Sequence, residues 1–178
     1  MKVVTIGTGY VGINTAVALA YIGHEVTGVD VDAGKVAMLK ARKAPISEAG
    51  LDALLAGLGN IAFTTDLAEC IDDADVVFIA VGTPSLPNGE ANLAYVHGAA
   101  DDIGRTVTPR HDMTIVVKST VPVGVNDMLE RKIRDAVRAR GVDDSALHFA
   151  SNPEFLREGC ALHDTFYPDR FVMGSADA

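Results

Sequence analysis

The sequence predicts a doubly wound α/β domain, a mostly parallel sheet with helices on both faces. Three observations carry that expectation. Short apolar runs alternate with longer helical patterns along the whole chain. Several runs are apolar without the in–out alternation of a half-exposed strand, as strands covered on both faces require. The residues just after each run are Gly, Ser, Thr, Asn or acidic, and sheets of this class bind ligands beyond the carboxyl ends of their strands. A length of 178 residues suits one domain, spanning 1–178, and an apolar content of 48% supplies a core without staples.

The expected strands are VVTI (3–6), EVTGV (25–29), IAFT (61–64), VVFIAV (76–81), MTIVVK (113–118) and LHFA (147–150). A last apolar strand is expected in FVM, near the end. Between the strands, helical spacing covers about 10–22, 33–42, 49–57, 66–72, 92–105 and 124–140. Gly23 follows the first helix, where a left-handed cap is commonly needed. Asn152 and Pro153 read as the N-cap and first turn of one more helix, with Glu154 and Glu158 on one face. Repeating a negative charge at that spacing costs about 0.2–0.5 kcal/mol, so something must offset it. The N-terminal dipole favours Glu154.

Charge excludes some partners. Lys and Arg number 15 against 24 Asp and Glu, a formal charge of −9, which attracts neither nucleic acid nor an anionic membrane. An anionic ligand must therefore be held by local donors. No apolar run approaches the ~20 residues of a membrane helix. Cys70 and Cys160 are too few for a disulfide framework, and the chain opens on a strand with no secretory segment, so a cytoplasmic location is expected. The histidines 24, 97, 111, 148 and 163 have no metal-like spacing, so no metal is expected.

Gly7, Gly9 and Gly12 form G-x-G-x-x-G between the first strand and the first helix. The first glycine allows a tight turn, the second lets backbone approach a pyrophosphate, and the third lets helix and strand pack closely. Asp30 closes the next strand, where an acid accepts hydrogen bonds from ribose hydroxyls and repels a 2′-phosphate. The pattern predicts a Rossmann-type domain binding NAD rather than NADP. Asp30 as a mere helix cap is the competing reading. Lys35 either contacts the cofactor or is a solvated helix charge. Thr83 and Thr120 each follow a strand, where threonine also caps helices or makes turns.

GTGYVG, GHEVTGVDVDAGKV, PISEAGL, FTTD, VGTP, KSTVPVG, SNPEFLREG and PDR follow one another along the chain. Together they resemble the NAD-binding domain of the UDP-glucose/GDP-mannose dehydrogenase family, over essentially the whole chain. KSTVPVG and PDR are most similar to UDP-glucose 6-dehydrogenases, while GDP-mannose and UDP-N-acetylmannosamine dehydrogenases remain alternatives.

The resemblance implies oxidation of a sugar-nucleotide primary alcohol to a carboxylate, with two hydrides leaving in turn and a cysteine thioester between them. It places NAD on Gly7, Thr8, Gly9, Tyr10, Val11 and Gly12, with Asp30 and Lys35. Val81, Gly82, Thr83, Pro84, Ser85, Ser119, Thr120, Val121 and Glu158 complete that site. It makes Glu154 the acid of base chemistry and thioester hydrolysis, with Thr120 nearby, and sets Glu154, Phe155, Leu156, Arg157 and Glu158 against the sugar nucleotide.

The nucleophilic cysteine and a catalytic lysine belong, by the same resemblance, to a connecting helix and sugar-nucleotide domain absent from this chain. Cys70 and Cys160 are then structural, and a homodimer is a further implication. A stand-alone NAD-binding or regulatory module explains the first site equally well but not STVP and NPEFLRE together. A short-chain dehydrogenase would need Tyr-x-x-x-Lys, and no tyrosine here has lysine four residues on. All these readings rest on one geometric expectation: the polar strand exits meet along a single rim, with the glycine turn and both glutamates facing one crevice.

Overall fold

The structure is a computed structural model and describes residues 1–175. Its centre is a seven-stranded sheet in the order β3-β2-β1-β4-β5-β6-β7. The strands are β1 (Lys2–Ile6), β2 (Glu25–Val29), β3 (Ile61–Thr64), β4 (Val76–Ile79), β5 (Met113–Val117), β6 (Leu147–Ser151) and β7 (Gly174–Ser175). All neighbours pair in parallel except β6 with β7. The topological switch falls between β1 and β4, where ligands of doubly wound sheets bind.

Strand alternation divides the core into two layers. Val4, Ile6, Val77, Ile79, Ile115 and Val117 face α4 (Ala94–Thr106) and α5 (Val125–Ala139). Val3, Val26, Ile61 and Phe63 face α1 (Tyr10–Tyr21), α2 (Ala33–Lys40) and α3 (Leu51–Gly57). On α5 the buried residues are Val125, Leu129, Ile133 and Val137, one stripe at i+4 spacing. Gly23 is left-handed, as expected, with its N–H donating to the Ala20 carbonyl.

Register builds the rim. Val29, Ile6, Ile79, Val117 and Ser151 are successive partners across β2, β1, β4, β5 and β6, so the carboxyl ends of these strands finish level. At about 4.8 Å per strand, the exits of β1 and β6 lie roughly 14 Å apart.

Three expectations need correction. The pattern over 66–72 yields only a 3-10 turn, Leu67–Glu69, which Asp66 caps by accepting from the Ala68 N–H at 2.9 Å, while the Thr64 hydroxyl donates to Glu69. FVM forms no strand, and β7 is the following Gly174–Ser175. The helix expected at Asn152–Glu158 is a loop, and α6 begins only at Ala161 and ends at Phe166. Asn152 caps nothing there: its amide donates to the Val172 carbonyl and its Oδ1 accepts from Lys118. Glu154 instead bends the chain locally, its Oε2 accepting from the Leu156 N–H at 2.6 Å. A side chain bonded two residues ahead competes with helix formation.

Candidate functional site: two cavities on one rim

The glycine turn joins β1 to α1 beside β4. Gly7 has φ +93, and a Cβ there would lie 2.8 Å from the Ala80 carbonyl oxygen. A Cβ on Gly12 would fall 1.8 Å from the Gly7 carbonyl oxygen. Both glycines are demanded by the protein itself. Gly9 is not: its φ is −72 and a Cβ would meet nothing within 4 Å. What a side chain at Gly9 would obstruct is open space at the end of α1. No side chain caps that helix end and no acid stands in its first turn. Its orphan N–H groups and positive dipole are therefore available to an anion.

A cleft of about 730 Å³ opens there, lined by Gly7, Gly9, Asp30, Lys35, Val81, Gly82 and Pro84 among others. Asp30 is 8% exposed. Its Oδ2 accepts from the Thr8 N–H and the Thr8 hydroxyl, both at 2.8 Å, and its Oδ1 accepts from the Asp32 N–H at 3.0 Å. Burial alone would raise this carboxyl. The Asp32 and Thr8 donors, with Lys35 at 3.9 Å, outweigh it and hold the group below the ordinary aspartate range. The capping of α2 falls to Asp32, whose side chain accepts from the Gly34 and Lys35 N–H groups. Asp30 is thus no helix cap, and Oδ1 retains a lone pair for a ligand hydroxyl. Thr8 is buried, with its N–H and hydroxyl both committed to Asp30, so in this structure it supports the carboxylate.

Tyr95, Asp102 and Thr106 on α4 also line this cleft and carried no signal in the sequence. Thr83, Ser85, Ser119, Thr120, Val121, Tyr10, Val11, Gly12 and Glu158 are not in its lining. Some of these hold neighbouring exits together. The Thr83 hydroxyl donates to the Thr120 carbonyl at 2.9 Å, and the buried Ser119 hydroxyl donates to the Val81 carbonyl at 2.6 Å. Ser85 bridges Ala91. Thr120 itself is exposed where β5 leaves the sheet.

Further along the rim, the exits of β5 and β6 enclose a second cavity of about 220 Å³. Lys118, Glu154, Phe155, Leu156, Arg157 and Arg170 are among its lining residues. Arg157 is fixed by Asp164 through Nε at 3.0 Å and Nη2 at 2.7 Å. The Arg170 guanidinium stacks 4.3 Å from the Phe155 ring centre.

The two cavities share no lining residue, which corrects the expectation of one crevice. Glu158 faces neither; it is exposed in the turn at 158–159. Tyr10 connects the two regions. Its hydroxyl lies 2.8 Å from Glu48 Oε2 and 3.0 Å from the Arg157 carbonyl, and it accepts from the Gly159 N–H at 2.8 Å. Burial, then the bond to Glu48, pushes Tyr10 up to about 12, so it remains a donor at neutral pH.

The cysteines differ. Cys70 is half-buried, and burial followed by the charges of Glu69 and Asp66 pushes its thiol up to about 12, leaving it unreactive. Cys160 is exposed, so it is not the packed structural residue expected, and it lines neither cavity. Among the described residues, no group of three or more His, Cys, Asp or Glu is placed to hold a metal ion. No helix among them is long and apolar enough to cross a membrane.

Comparison with known proteins matches residues 1–178 to the NAD-binding domain of the UDP-glucose/GDP-mannose dehydrogenase family. The chain belongs to this family. It is 48% identical over 98% of its length to a UDP-glucose 6-dehydrogenase of Rhizobium meliloti. It superposes with TM-score 0.90 and 41% identity on a UDP-glucose dehydrogenase from Pyrobaculum islandicum, covering 99% of this chain. With TM-score 0.91 and 38% identity it also matches the GDP-mannose dehydrogenase of Pseudomonas aeruginosa, again over 99%. The chain spans only 39% of the first of these relatives and 41% of each of the other two.

NAD is the cofactor of this family's domain, and the cleft fits it on its own terms. The open approach at Gly9, the uncapped end of α1 and the preset carboxylate of Asp30 are the donors and acceptor a dinucleotide needs.

Proposed function

We propose that this chain is the cofactor-holding part of an enzyme that oxidises the C6 alcohol of a sugar nucleotide, UDP-glucose first, to a carboxylate. One observation carries the reading: a dinucleotide cradle at the sheet's switch point stands on the same level rim as Glu154. The roughly 14 Å between the exits of β1 and β6 is within the reach of an extended dinucleotide. NAD would supply the hydride acceptor. The α1 N-terminus with Gly9 would hold its pyrophosphate, and Asp30 its adenosine ribose. Glu154 would take the proton from the alcohol oxygen, with Thr120 beside the exit of β5.

A connecting helix, a sugar-nucleotide domain bearing the nucleophilic cysteine, and a homodimer belong to the same proposal. Neither Cys70 nor Cys160 is placed to supply that nucleophile. The similar fit to the GDP-mannose dehydrogenase keeps GDP-mannose as the second substrate reading.

The test compares this chain with the full-length product of the gene that encodes it. With NAD, the full-length protein is expected to form two NADH for each UDP-glucose, and this chain alone no sustained NADH. Sustained turnover by this chain, or none by the full-length protein with either sugar nucleotide, would overturn the reading.

A further inference from the structure

Lys118 has no part in the reading so far. It stands immediately after β5 and is 9% exposed. Its Nζ donates at 3.0 Å to Oδ1 of Asn152, which is 4% exposed. Among the described residues this is its one hydrogen-bond partner, and no ion pair joins it to a carboxylate. An ammonium carries three donors, so two remain beyond that bond. The side chain lines the cavity that Glu154 also lines.

A lysine in such a place is unusual. A buried charge costs stability unless it is paired, and Asn152 is neutral. Burial holds the ammonium below the ordinary lysine range, while the charge of Glu154 pulls it back up. The surface offers Lys and Arg many wetter positions, and a neutral side chain at 118 would close β5 without the penalty. A cation kept there against its own solvation fits a ligand that brings negative charge into the cavity.

We propose that Lys118 is a catalytic residue, donating to the oxygen on the carbon under oxidation. This rests on the sugar-nucleotide reading above. As that alcohol is oxidised, its proton passes to Glu154, a hydride leaves the same carbon for the nicotinamide, and the carbon–oxygen double bond forms. Negative charge gathers on the oxygen as the proton departs, and a fixed, buried donor at the wall of that cavity stabilises it there. The same ammonium pairs with the carboxylate of the product. Lys118 is distinct from the catalytic lysine that the family resemblance places outside this chain.

The experiment uses the full-length protein with NAD and UDP-glucose, and the variants Lys118→Met and Lys118→Gln; the second keeps a donor for Asn152. Both are expected to lower kcat by about 100-fold or more. KM for UDP-glucose and the Kd for NAD should change by less than about threefold. Because a poorly paired buried charge is removed, Tm should stay within about 2 °C of wild type or rise. Active wild-type protein with either variant at near-normal kcat would overturn the assignment of Lys118 alone. Variants that lose Tm, or fail to fold, would show a structural ammonium and overturn it too. Wild-type protein inactive with UDP-glucose and GDP-mannose would sink the sugar-nucleotide reading, and this proposal with it.

Discussion

The two ends of the rim solve opposite problems. At the β1–β2 end, the buried charge is answered inside the protein: Asp30 takes bonds from Thr8 and Asp32 and sits near Lys35. What that end leaves open is space and a helix terminus at Gly9. At the β5–β6 end the loop is irregular, and its buried lysine has one neutral partner. The first region is preset: its carboxylate is satisfied within the protein before any ligand arrives. The second is charged and incompletely satisfied, the condition of a place where chemistry develops charge. Binding sites can be finished in advance; reaction sites retain a demand.

The largest expected effect breaks the second region. In the full-length protein, Glu154→Gln should lower kcat by about 10²–10⁴-fold with the Kd for NAD nearly unchanged, measured by steady-state NADH formation and by titration. An equal loss of NAD affinity would erase the division between the two ends. Next comes the first region's own architecture. Gly12→Ala puts a methyl 1.8 Å from the Gly7 carbonyl oxygen and should cost about 3 kcal/mol in urea unfolding.

A smaller effect tests the preset charge of Asp30. Its folded-state carboxyl lies below the unfolded value, so its contribution to stability is present above about pH 4 and is lost as pH falls through the folded value. Asp75 and Asp144 are lowered too, so the readout is a difference. From pH 5 down to pH 3, Asp30→Asn should lose less stability than wild type in parallel unfolding curves. The smallest effect concerns the link between the ends. Tyr10→Phe removes the hydroxyl shared by Glu48, Arg157 and Gly159 and should cost about 1 kcal/mol.

The same contrast governs what the sequence discloses. β2 and β3 occupy the residues their apolar runs indicated, and the glycine turn sits where its spacing put it, because those features are set by short-range sterics and strand burial. The β5–β6 end was less legible. Asn152-Pro153 reads as a helix start only while Asn152 is free to cap, and Lys118 and the Val172 carbonyl, far along the chain, occupy its side chain instead. In the sequence Lys118 is only the last residue of the run MTIVVK; its burial appears once β6 pairs beside β5. The signal that could have found it is a lysine directly between the apolar run Ile115–Val117 and the polar STVP exit. Thr8 escaped for a similar reason, since its bond to Asp30 joins the ends of two strands.

The central claim is that the cleft at Gly9 and Asp30 is the NAD receptor, and calorimetric titration of this chain tests it most directly. NAD should bind far more tightly than NADP, and at about 100 times its Kd should stabilise the fold by about 2.7 kcal/mol. Gly9→Ala, which meets no protein atom, should leave unfolding unchanged and weaken NAD by about tenfold or more. Equal affinity for both dinucleotides, or a Gly9→Ala chain that binds NAD as wild type does, would contradict the account.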